Sequence, residues 1–138
     1  MFEIWERPLD ARVVEAAVAD AGNGAVVTFA GIVRNNSRGQ AVDHLEYDVY
    51  RPLAEKAFRE IGDEIRQRWG LPCAILHRVG RLEIGEASVI IAVAAPHRKD
   101  AFVACEYAID RLKEKAPIWK KEITPTGEYW IEGDTPVG

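Results

Sequence analysis

Hydrophobic positions along the chain recur at a spacing near two residues in some stretches and near four in others, and the switches mark out the elements. Residues 2–5 read as a short strand. Asp10 is a suitable N-cap for a helix with Val13, Val14, Ala17, Val18 and Ala21 on one face, stopped by Gly22. The β-rich apolar run 24–33 predicts a central strand, and the polar run 35–39 a loop. Leu45, Tyr47 and Val49 then alternate with Glu46, Asp48 and Tyr50, as in a half-buried strand. Arg51-Pro52 opens a second helix, with Leu53, Ala57, Ile61, Ile65 and Trp69 at about four-residue spacing and Gly70 at its end. Two further strands, 73–79 and 88–95, are joined through a turn near Gly85.

A third helix is predicted over about 99–115, with Phe102, Cys105, Ile109 and Leu112 as its buried stripe. Pro117 disfavours helical geometry at Ala116, so this helix should stop close to Lys115. A last strand, 129–132, follows a Thr-Pro-Thr-Gly turn. The order β-α-β-β-α-β-β-α-β implies a single α+β domain over 1–138, its helices packed on a mixed, largely antiparallel sheet.

Composition narrows the function classes. A chain of 138 residues, 48% hydrophobic and 29% charged, has the make-up of an ordinary globule able to build a core without staples. No run approaches the roughly 18 apolar residues of a membrane span, and the amphipathic start is no signal peptide, so a cytoplasmic protein that does not contact membrane is expected. Cys73 and Cys105 form no CxxC and have no histidine at ligand spacing, so they read as small buried hydrophobes. No metal site or cofactor is expected. The net charge of −4 argues against nucleic-acid binding, yet residues 95–121 carry seven Lys/Arg against four acids, which leaves −7 on the remainder. A local basic island on an acidic protein suits a small anionic ligand.

Candidate chemistry gathers in and around that island. Lys113 falls in the last helical turn and Lys120 beyond Pro117, so two ammonium groups can converge beside the indole of Trp119; they are equally readable as solvated lysines at a helix end. Trp119 either stacks a heterocycle or belongs to a core or interface. His97 and Arg98 follow an apolar strand and precede a helix, a natural phosphate cradle or else a salt-bridged junction. Arg34, at a strand end before the 35–39 loop, suits an anion or a loop salt bridge. His44 and His77 lie within strand patterns and read as structural.

Taken together, these residues resemble the large, catalytic subunit of molybdopterin synthase. The matching pieces are FAGIVRN (29–35), HRVGRLEIGE (77–86), APHR (95–98), LKEKAPIWKKE (112–122) and EYWIE (128–132). The resemblance implies an α/β hammerhead-type fold and a sulfurtransferase of molybdenum cofactor biosynthesis. Such an enzyme converts a cyclic pyranopterin monophosphate to molybdopterin. Its two sulfurs arrive on the C-terminal glycine thiocarboxylate of a small ubiquitin-like subunit. It also implies a central homodimer with a small subunit at each end. Lys113 and Lys120 match the family's active-site lysines, His97 and Arg98 its substrate-binding pair, and Arg34 its strand-end arginine. Lys121 and Glu122 flank the second lysine in the same pocket, and Ile32 and Val33 precede Arg34 where the family also contacts ligand. Two other readings use the same cations without turnover or without a ligand. One is a non-catalytic module for a phosphorylated metabolite or a protein tail, the other a structural α+β dimer.

Overall fold

The computed structural model describes residues 1–132, so residues 133–138 of the expected domain lie outside the described part. Along the chain run β1 (Phe2–Trp5), α1 (Ala11–Val18), β2 (Ala25–Ile32), β3 (Asn36–Ser37), β4 (Gln40–Ala41), β5 (His44–Val49) and α2 (Arg51–Trp69). Then come β6 (Cys73–Arg78), β7 (Gly80–Glu83), β8 (Ala87–Ala95), α3 (Arg98–Lys115), β9 (Ile118–Thr124) and β10 (Gly127–Glu132). The α+β class holds, but the strands form two four-stranded sheets and a small hairpin rather than one sheet. The first sheet has the order β1-β6-β8-β2, the second β10-β9-β5-β7. Among the described residues only β1 and β6 pair in parallel, and the other ladders are antiparallel.

Alternation along the first sheet divides its side chains between two cores. Cys73, Ile75, Ile91, Val93 and Ala95 face α2 and α3, while Ala74, Leu76, Ile90, Ala92 and Ala94 face α1. Helix α1 buries Val14 and Val18, but it ends at Val18, earlier than expected, with Ala19 already extended. Ala21 therefore lies beyond the helix, and Val13 and Ala17, on its outer face, are exposed as well. In α2 the buried stripe is Ala54, Ala57, Phe58, Ile61 and Ile65, while Leu53 is exposed. Gly62 sits mid-helix, where glycine costs about 1 kcal/mol relative to alanine. A Cβ there would come within 2.3 Å of the Phe2 ring, so the glycine admits β1 against the helix.

Helix α3 seats on the sheet through Ala101, Ala104, Cys105, Ala108 and Leu112. The small residues bring the helix backbone close and leave Phe102 pointing outward, 60% exposed, against the expectation that it was buried. Both cysteines are free and buried, and burial pushes their thiols up, Cys73 to about 12 and Cys105 to about 11. No described helix is long and apolar enough to cross a membrane.

The contact between α2 and α3 is polar at its rim. Glu64 accepts from Arg111 Nε at 2.9 Å and from the Tyr107 hydroxyl, with Lys115 Nζ at 3.3 Å. Lys115 also lies 2.6 Å from Glu60, so it is an interhelical ion-pair member rather than a solvated lysine. The hydrogen bonds from Arg111 and then Tyr107 hold the Glu64 carboxyl down at about 2, from an ordinary 4.5. A depressed carboxyl contributes stability that is complete above its unfolded value and is lost as pH falls from about 4.5 to about 2. With 26% of the Glu64 side chain still reached by water, the contribution is about 2 kcal/mol. Glu64→Gln is accordingly expected to lose about that much stability at pH 7 and to flatten the acid limb. Urea unfolding at pH 7 and pH 3 checks both.

Candidate active site

The two sheets meet where β2 runs out. Its pairing with β8 shifts between Gly31 and Ile32. The chain is then pinned by Val33 N–H donating to the Glu86 carbonyl and Gly85 N–H donating to the Val33 carbonyl, each at 2.9 Å. Arg34 emerges directly after this double tether. The next residues are not the open loop expected for 35–39 but the β3–β4 hairpin. Arg38 and Gly39 form its two-residue turn with φ of 53° and 78°, both left-handed, which is the geometry such a turn requires.

Helix α3 delivers Lys113 in its last turn and stops as expected, Ala116 turning extended before Pro117. Ile118 then starts a strand that the pattern of residues did not disclose. In β9, Lys120 pairs with Tyr47 and Glu122 with Leu45 of β5. Alternation sends Ile118, Lys120 and Glu122 inward and Trp119 and Lys121 outward.

Between these elements lies a cavity of about 260 Å³. Phe29, Ile32, Val33, Val42, Leu45 and Ile109 supply its apolar walls. Arg34, Lys113, Lys120 and Glu122 supply charge, and Asn36, Ser37 and Tyr47 supply neutral polar groups. Glu122 is only 5% exposed, so its carboxyl group is held within the wall that also presents the three cationic side chains. The excess positive charge in a half-desolvated cleft favours an anion, with arginine offering a planar fork and the lysines point charges.

The structure thus brings Ile32, Val33, Arg34, Lys113, Lys120 and Glu122 to one place and leaves four expected residues elsewhere. Lys121 points away from the cleft because it follows Lys120 on a strand. Its ammonium lies 2.9 Å from Glu128 and 3.7 Å from Glu46, and the Glu128 hydrogen bond raises its pKa. Trp119 shares that outer face, 37% exposed, and does not line the cleft; the aromatic rings that do are Tyr47 and Phe29. His97 and Arg98 lie at the opposite end of α3, about 22 Å along its axis from Lys113, both exposed. Tyr47, Asn36 and Ser37 were not singled out from the sequence. Tyr47 carried a faint signal, a hydroxyl in an inward row otherwise made of Leu45 and Val49.

A cationic cleft at a helix end, walled by aliphatic side chains, defines an α+β protein with a cavity suited to a small anionic ligand. The chain belongs to the MoaE protein family, whose model matches residues 4–115. Among its relatives is the molybdopterin synthase catalytic subunit of Staphylococcus carnosus. That protein is 49% identical over 131 residues, 94% of this chain and 87% of the relative. The crystal structure of molybdopterin synthase from Staphylococcus aureus superposes with a TM-score of 0.92 at 46% identity, covering 94% of this chain and 96% of that one. A complex of subunits 1 and 2 of molybdopterin-converting factor from Helicobacter pylori matches with a TM-score of 0.77 at 27% identity, over 93% and 88% of the two chains.

Proposed function

We propose that this chain is the catalytic subunit of a cytoplasmic molybdopterin synthase. It converts a cyclic pyranopterin monophosphate to molybdopterin with two sulfurs from the C-terminal thiocarboxylate of a small ubiquitin-like subunit. The observation that carries this reading is the convergence of Lys113, Lys120 and Arg34 on one cleft in a chain of this family. Both reactants are anions, and three cations facing one volume are suited to hold a phosphate and a thiocarboxylate together. Lys113 serves as acid or base at the reacting carbons and Lys120 positions the thiocarboxylate or phosphate. Glu122, from within the wall, limits how much negative charge the cleft accepts. The H. pylori two-subunit complex supports a small-subunit partner for this chain.

His97 and Arg98 join the same site if the working unit is a homodimer. Strand β2 is an edge of its sheet, with Val26 46% and Ile32 51% exposed, and Phe102 stands out from α3 two turns before Ile109. An edge of this kind invites pairing with another strand. Ala25 pairs with Ala95 at one end of β2, and Arg34 follows its other end. Antiparallel pairing of β2 with its own copy across a two-fold axis therefore carries the copy's 97–98 segment toward this chain's Arg34. Two such sites, each served by one small subunit, make a heterotetramer.

The test is a turnover assay on the chain co-purified with a thiocarboxylated small subunit and supplied with the cyclic precursor. Mass spectrometry is expected to find a dithiolene product. Tight binding of precursor with no sulfur incorporated would instead establish a non-catalytic binding module.

A further inference from the structure

His77 stands where the strand pattern calls for an aliphatic side chain. It ends the row of β6 that begins with Cys73 and Ile75, and it is 3% exposed. A buried imidazole in such a place is costly unless its nitrogens are hydrogen-bonded. Nδ1 lies 2.7 Å from the Arg78 carbonyl oxygen. A carbonyl only accepts, so Nδ1 is the donor, and in the neutral ring the lone pair is fixed at Nε2. The ring also meets Tyr47 edge-on, with centroids 5.2 Å apart at 70°.

Beside the main cleft, a second cavity of about 30 Å³ has room for a water molecule. Its polar border is His77 from β6, Tyr47 from β5, Ser88 from β8, Lys113 from α3 and Lys120 from β9. Ser88 donates to the Gly31 carbonyl at 3.3 Å. The other lining side chains are apolar, so Tyr47 and the two lysines are the titratable groups that face the ring there. A ring nitrogen that accepts from one of two ammonium groups bordering the same cavity can hold it in place without adding a negative charge that would repel an anionic ligand.

We propose that His77 is a positioning residue for the lysine pair. Its Nε2 accepts a hydrogen bond from the lysine side, directly or through a water in the small cavity, and keeps the ammonium aimed into the cleft. The effect on turnover rests on the sulfur-transfer reading; the effect on the lysines does not.

Three variants separate the parts of the ring. His77→Leu removes both nitrogens, His77→Asn keeps a group near Nδ1 only, and His77→Gln reaches the place of Nε2 with an acceptor. Brief acetic anhydride labelling of the whole protein, read by mass spectrometry at each lysine, reports amine reactivity without turnover. His77→Leu and His77→Asn are expected to label Lys113 or Lys120 about tenfold faster at pH 8, and His77→Gln to label as wild type. In the small-subunit complex kcat is expected to fall in the variants that label faster, while KM for the precursor stays within about twofold. Should His77→Leu fail to fold by circular dichroism, the Asn and Gln pair decides the matter. Unchanged labelling of both lysines in folded His77→Leu or His77→Asn overturns the role for His77, even with normal wild-type turnover. Altered labelling beside a wild-type complex that transfers no sulfur leaves that role standing and removes the sulfur-transfer reading.

Discussion

Lys113→Ala is expected to lower the rate of dithiolene formation by about 10²–10⁴-fold, the range spanned by the loss of a positioned acid or base. The side chain leaves the last turn of α3 and borders both cavities, so it reaches the reacting volume from a rigid element. The fold should tolerate the change. Alanine is a better helix former than lysine, and the loss of a cation from the last turn costs only about 0.3–1 kcal/mol. Lys113→Arg supplies the complementary measurement, since it keeps the charge but does not give up a proton near neutral pH. Precursor binding retained in Lys113→Arg with turnover lost would assign the residue to proton transfer. Binding lost in Lys113→Ala but kept in Lys113→Arg would assign it mainly to charge. Single-turnover assays with thiocarboxylated small subunit distinguish these, and a wild-type rate in Lys113→Ala would remove the site from consideration.

The second large effect is a recovery of activity. Arg98→Ala and Lys113→Ala should each be inactive as pure dimers, because every site then lacks one of the two groups. In a mixed dimer, one site combines the intact Lys113 of one copy with the intact Arg98 of the other, and the second site lacks both. Random mixing makes half of the dimers mixed, so about a quarter of wild-type activity should return. The reasoning rests on the roughly 22 Å of helix between the two residues and on the open β2 edge that ends beside Arg34. Co-expression with two purification tags isolates the mixed species, in which about half of the wild-type activity is expected because one of its two sites is intact. Activity no higher than that of the parents would place His97 and Arg98 outside the reaction site.

Much of this arrangement was legible in the sequence because strong punctuation brackets it. Pro117 ends α3 within one residue of its observed stop, and Gly70 ends α2 in the left-handed conformation at φ 69°. The inward rows of β6 and β8 are aliphatic enough to be read directly. Strand β9 escaped because its inward positions, Lys120 and Glu122, are charged to serve a cavity, so the expected alternation of apolar and polar disappears. The long apolar run ending at Val33 was read as central, yet β2 is an edge. Hydrophobicity on an edge strand reports a surface, and the pattern alone does not separate an interface from a core. Phe102 and Val13 were misassigned for a related reason, since the small residues of α3 and the shortness of α1 set which side chains touch the sheets.

The doublet Lys120-Lys121 gives the strand register a chemical meaning. Both residues carry the same charge, yet one faces the cleft and its neighbour holds Glu46 and Glu128 on the far side. Suppose β9 slipped by a single residue against β5. An ammonium group would still occupy the cleft, since Lys121 would replace Lys120. Ile123 would, however, stand where Glu122 does, and the indole of Trp119 would have to enter the core site of Ile118. The lysines are indifferent to the slip; the residues on either side of them are not. Fidelity at this site is therefore enforced by a glutamate and an isoleucine, while the cations they align are the groups proposed to carry the chemistry.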